Sequence, residues 1–138
     1  MEKIVEKDTF SYEIETEKRE NGVSCQARLR CFVKPVKDTK TNTRVIDDVE
    51  KRVRNLVELC VDTSDILSYN YIADFECTRE NLNVDKWSRL KVDLYLMTEF
   101  TEIEEELLGE VDVLCGKMGI MVDKMMRDGG FDVSVINL

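Results

Sequence analysis

The sequence predicts an α+β fold: one antiparallel sheet of about five strands with two helices on one face, in the order β-β-α-β-β-α-β. Three observations predict it. Two stretches alternate apolar and polar residues around a turn, each is followed by an apolar stripe at helical spacing, and the two units match at a constant offset. Tyr12 to Glu15 and Arg28 to Val33 share their binary pattern with Ala73 to Glu76 and Arg89 to Leu94, sixty-one residues later. The 138 residues therefore read as a single domain, 1–138, of two ββα pseudo-repeats over about 8–61 and 67–128, either an internal duplication or two units of similar length that share binary patterning, then a C-terminal strand over 131–136.

In the first strand Phe10, Tyr12 and Ile14 alternate with Ser11, Glu13 and Glu15, and Asn21-Gly22 is a strong hairpin signal. The return strand places Cys25, Ala27, Leu29, Cys31 and Val33 on one face. With Asn21-Gly22 as the loop, Ile14 meets Leu29, Tyr12 meets Cys31 and Phe10 meets Val33. Glu13 then opposes Arg30, and Glu15 opposes Arg28, on the other face. Such pairs contribute roughly 0.2–1 kcal/mol each and help specify register. Pro35 cannot donate a ladder hydrogen bond and ends the strand.

The first helix carries Val45, Ile46, Val49, Val53, Leu56, Val57 and Cys60 on one stripe, with Thr43 as N-cap and Asp47 and Asp48 in its first turn. A second strand pair follows. Leu67 to Cys77 alternates and is answered by Trp87 to Met97, with Leu90, Val92, Leu94 and Leu96 inward. The repeat offset pairs Phe75 with Leu90, Ala73 with Val92, Asp74 with Lys91 and Glu76 with Arg89. The second helix starts near Thr101, in a capping-box pattern with Glu104, and runs through Ile103, Leu107, Leu108, Val111, Leu114, Cys115, Met118, Val122 and Met125 to Gly129-Gly130.

Composition narrows the function. With 29 acidic and 20 basic residues the net charge is −9, which argues against general affinity for nucleic acid or anionic membranes. No apolar run approaches spanning length and the N-terminal residues have no signal-peptide core, so the expectation is a soluble, cytoplasmic protein in a reducing compartment. The five cysteines, Cys25, Cys31, Cys60, Cys77 and Cys115, have no Cys-x-x-Cys spacing and fall at apolar phases, which reads as core packing.

The absence of histidine removes the commonest general base and metal ligand. No phosphate-binding glycine loop or nucleophile elbow occurs, because Gly116 and Gly119 lie within a helical pattern. The carboxylates Glu102, Glu104, Glu105 and Glu106 suit a helix N-terminus. No catalytic residue, cofactor or metal site is therefore expected, and the reading is a non-enzyme.

The outer sheet face holds the candidate site. Arg28, Arg30, Lys34, Arg89 and Lys91 are basic there, four of them neutralised by the expected ladder, while Phe32, Ile72 and Tyr95 interrupt it as apolar residues. The expected interface is thus Phe32, Ile72, Tyr95, Arg28 and Arg30. The expected function is a protein-interaction or structural subunit that self-associates as a homo-oligomer, such as a component of a viral or other multi-chain particle. The alternative is a small acidic inhibitor of a host or nucleic-acid-processing factor, acting by surface mimicry or ligand sequestration.

Overall fold

The computed structural model describes residues 1–36, 42–63, 70–82, 85–98 and 104–134. Strands β1 (Glu2–Glu6), β2 (Ser11–Arg19) and β3 (Gly22–Pro35) precede helix α1 (Asn42–Thr63). Strands β4 (Asn70–Asn81) and β5 (Ser88–Thr98), helix α2 (Glu104–Asp128) and strand β6 (Phe131–Ser134) complete the order. The fold is the expected α+β one, an antiparallel sheet with two helices.

The sheet runs β1-β2-β3-β5-β4. β6 pairs with the end of β3, Phe32 opposite Ser134 and Val33 opposite Val133, where β2 has already begun beyond reach at Ser11–Arg30. The two long return strands therefore occupy the centre. β3 pairs with β5 so that Arg30 faces Lys91, its counterpart at the sixty-one-residue offset, while Leu29–Val92 and Cys31–Leu90 flank them. A local two-fold relation between the strands follows, with its axis at Arg30 and Lys91.

β1 is an addition to the expected order. Only Ile4 and Val5 are apolar within it, and Ile4 is 65% exposed, so no alternating pattern announces the strand. It joins the sheet through its register with β2, Val5 opposite Tyr12 and Lys3 opposite Ile14.

Both hairpin registers differ from expectation. In the first, Arg19 pairs with Gly22, so Glu20 and Asn21 form the loop, and Gly22 enters β3 with a φ of 154° that side-chain-bearing residues rarely adopt. Tyr12 therefore faces Leu29 and Ile14 faces Ala27, a slip of two residues. In the second, Asn81 pairs with Ser88, and Asp85 and Lys86 turn the chain with φ of 45° and 65°. Phe75 then faces Leu94 and Cys77 faces Val92, a slip of four. A break in register between Ile72 and Asp74 leaves Ala73 as the extra residue. One offset therefore relates β3 to β5 but does not carry β2 onto β4.

Even-numbered slips preserve sidedness, because side chains alternate with a period of two. The inner face accordingly holds Tyr12, Ile14, Cys25, Ala27, Leu29, Cys31, Val33, Leu90, Val92, Leu94 and Leu96, all buried. Against it α2 lays Leu107, Val111, Leu114, Cys115, Met118, Val122 and Met126, and α1 lays Val49, Val53 and Val57. α1 begins at Asn42, so Asp47 and Asp48 lie past its first turn. The expected start of α2 at Thr101 and Ile103, the strand residue Leu67, and the last residues of the expected 131–136 strand lie outside the described residues.

Glycine inside a helix costs roughly 1 kcal/mol relative to alanine, so each one needs a reason. Gly119 has one: an ideal Cβ there would overlap the Phe10 ring. At Gly109 and Gly116 a Cβ would meet nothing within 4 Å. Two carboxylates on α2 fasten it to the strands. Tyr12 Oη donates to Asp112 Oδ1 at 2.5 Å and Lys3 Nζ to Asp112 Oδ2 at 2.6 Å, while Thr16 Oγ1 donates to Glu104 Oε1 at 2.9 Å.

Candidate functional site

With both helices on one face, the outward side chains of β3 and β5 form a shallow platform at the centre of the sheet. Register builds it in rows. Phe32 lies opposite Arg89, Arg30 opposite Lys91 and Arg28 opposite Asp93. β2 flanks it with Ser11 opposite Arg30 and Glu13 opposite Arg28; β4 flanks it with Glu80 opposite Arg89 and Thr78 opposite Lys91. Four cations and one aromatic ring thus occupy six neighbouring positions.

Most of those charges are answered locally. Arg28 reaches Glu13 at 3.5 Å and Asp93 at 3.9 Å, Arg89 reaches Glu80 at 3.4 Å, and Lys91 reaches the same Glu80 at 3.0 Å. Lys91, by its hydrogen bond, holds the Glu80 carboxyl below the usual range, and the charges of Arg89 and Arg30 lower it further. Lys34 pairs with Asp85 at 2.7 Å. The expected ladder pairs Glu13–Arg30, Glu15–Arg28, Asp74–Lys91 and Glu76–Arg89 are replaced, because Glu15 faces Gln26, Asp74 faces Tyr95 and Glu76 faces Asp93. Four of the five cations are still neutralised, but the exception is Arg30, which has no ion pair among the described residues and sits opposite another cation. Like charges directly opposite each other are destabilising.

Phe32 is half-buried under the Arg89 guanidinium, whose Cζ lies 5.5 Å from the ring centroid. Arg28, Arg30 and Phe32 therefore come together as consecutive outward positions of β3. Tyr95 shares their face but pairs with Gln26, six residues along the strand from Phe32, a separation of roughly 20 Å. The register pairs Ile72 with the inward position Leu96 and so does not group it with Phe32; its side chain lies outside the described residues. Arg89 and Lys91 complete the platform.

Elsewhere the structure holds an open groove of about 430 Å³ between the helices, lined by Val45, Arg52, Met121 and Met125. Among the described residues no group of three or more acidic, cysteine or histidine side chains converges as a metal-holding set. Burial pushes the Cys25 and Cys31 thiols up to about 12 and Cys77 to about 11, and it raises Cys115 as well. These sulfurs are thiols, not thiolates, at neutral pH. Among the described residues, no helix is long and apolar enough to cross a membrane.

No family model matches the chain, and no curated protein or solved structure is significantly similar to it.

Proposed function

We propose that this chain is a non-enzymatic interaction subunit that self-associates, and that the platform on β3 and β5 is one of its contacts. The observation that carries this reading is Arg30: a cation without an ion pair among the described residues, set opposite Lys91 and next to the half-buried ring of Phe32. A guanidinium in that setting gains from an incoming carboxylate, and the adjacent ring gains from losing its exposed area to water. Arginine and aromatic residues are also the side chains that interfaces favour.

A second copy of the chain offers the complement. At net charge −9 it has carboxylates in excess, including Glu15, which projects from β2 outside the neutralised centre. The platform is self-sufficient enough to stay in water and incomplete enough to favour a partner.

Light scattering across protein concentration tests the reading. The wild-type chain is expected to exceed the mass of a single chain, and both Phe32→Glu and Arg30→Glu are expected to lower that mass while leaving circular dichroism unchanged. A wild-type chain that stays monomeric would overturn self-association. If both folded variants retained the wild-type mass, the platform would not be the contact.

A further inference from the structure

Among the described residues, nothing covers the outward face of α2. Val113 is 55% exposed and Ile120 66% exposed, and both lie on the stripe diametrically opposite the core positions Val111, Cys115, Met118 and Val122. Gly109 and Gly116 fall on the same stripe, spaced 4, 3 and 4 residues with Val113 and Ile120. Beside this stripe α2 carries two acids in its first half, Glu106 and Glu110, and two bases in its second, Lys117 and Lys124. None of these four forms an ion pair among the described residues.

We propose that the occupant of this face is the α2 helix of a second copy, packed antiparallel about a two-fold axis between Leu114 and Cys115. In that arrangement Val113 enters the space left by Gly116 of the second copy, and Ile120 the space left by its Gly109. Small residues under large ones let two helices approach closely, which accounts for two glycines that no close contact among the described residues requires. The charges follow the same symmetry. Glu106 comes level with Lys124 of the second copy and Glu110 with its Lys117, on the same side of the contact, and the axis generates each pair twice.

Charge complementarity also fixes the direction. A parallel two-fold pairing would stack glycine on glycine and Val113 and Ile120 on their own copies, and it would turn Glu106 and Glu110 toward the other flank of the second helix, which carries Glu105 at that level, so the Glu106–Lys124 and Glu110–Lys117 pairs form only in the antiparallel arrangement. Flanking charges set orientation in paired helices in this way. The contact lies on the side of the molecule opposite the β3–β5 platform, so it does not depend on the proposal made for that surface. Two separate contacts on opposite faces would link chains into an extended assembly, not a closed dimer.

The test uses the full chain carrying Phe32→Glu, so that only the α2 contact remains; Arg30→Glu serves as the background if Phe32→Glu does not fold. Sedimentation equilibrium should give the mass of two chains. Adding Glu106→Lys with Glu110→Lys makes the flank all basic, and adding Lys117→Glu with Lys124→Glu makes it all acidic. Each double variant alone should fall to the mass of one chain with unchanged circular dichroism, and an equimolar mixture should recover the mass of two. A monomeric parent, a double variant that keeps the parent's mass, or a mixture that stays at one chain would each overturn the proposal. Failure of the platform reading shows instead as a wild-type mass unaffected by Phe32→Glu.

Discussion

Leu29 and Arg30 are neighbours in β3, and the sheet gives them opposite roles. Leu29 is 2% exposed, pressed between Tyr12 and Val92 under the helices, whereas Arg30 points to the open face across from Lys91. One face of the same strands carries the cohesion of the molecule. The other carries charges that are almost, but not completely, paired among themselves. Stability and recognition are thus separated by the two-residue period of the strand, so substitutions at adjacent positions should produce different kinds of defect.

The largest expected effect is on the inner face. Leu29→Ala removes a fully buried branched side chain from the central strand and should cost about 2–5 kcal/mol in chemical denaturation, as lost transfer energy plus a residual cavity. A change of a few tenths would mean that β3 is not packed as described. Gly119→Ala comes next. Although alanine is the better helix former, its methyl would overlap the Phe10 ring, and overpacking of this kind costs about 1–3 kcal/mol. Gly116→Ala, three residues away with open space around it, should instead raise the stability of the monomeric chain by up to about 1 kcal/mol.

The contact between β2 and α2 sharpens the comparison because it is polar and pH-dependent. Burial alone would raise the Asp112 carboxyl, but the hydrogen bonds from Lys3 and Tyr12 outweigh burial and hold it below its usual value. Glu104 is lowered in the same direction, first by Thr16 and then by the N-terminal amine. A carboxyl depressed in the folded state binds fewer protons than it does when unfolded. Its stabilisation is therefore complete above the unfolded value near pH 4 and is lost as pH falls through the folded one. Denaturant midpoints should be flat from pH 7 to 5 and then drop. Tyr12→Phe should cost about 1 kcal/mol at pH 7 and make the acid drop shallower, because one of the bonds that depress Asp112 is gone.

How far all this is legible in the sequence depends on which property is asked for. Sidedness is legible: Cys25 through Val33 and Leu90 through Leu96 alternate apart from Phe32 and Tyr95, and slips of two or four residues leave every one of them on its face. Register is not legible, for the same reason. Asn21-Gly22 marks a turn but not its centre, and the second loop turns on Asp85 and Lys86, both at positive φ, so no glycine signals it. β1 escapes notice because Ile4 faces solvent.

The candidate site divides along the same line. Arg28, Arg30 and Phe32 lie on one strand, so alternation alone assembles them. Placing Tyr95 and Ile72 beside them requires knowing how β5 and β4 align, and the irregularity at Ala73 shifts the register so that Ile72 pairs with Leu96. That Arg30 is the platform cation without an ion pair among the described residues could not be read either, since it depends on Glu13 lying across from Arg28.

The smallest effects lie on the outer face, and they discriminate best. Arg28 sits between Glu13 and Asp93 in two exposed, long ion pairs of 3.5 and 3.9 Å, so Arg28→Ala should cost no more than about 1 kcal/mol, and less in high salt. Arg30→Ala removes a cation from opposite Lys91 and leaves no carboxylate stranded. It should therefore be neutral or slightly stabilising in the monomer, and the difference between the two variants should shrink as ionic strength rises. Association should rank them the other way, with Arg30→Ala weakening it more than Arg28→Ala. A charge that contributes nothing to folding yet matters to assembly would be the clearest evidence that the two faces of one strand serve different ends.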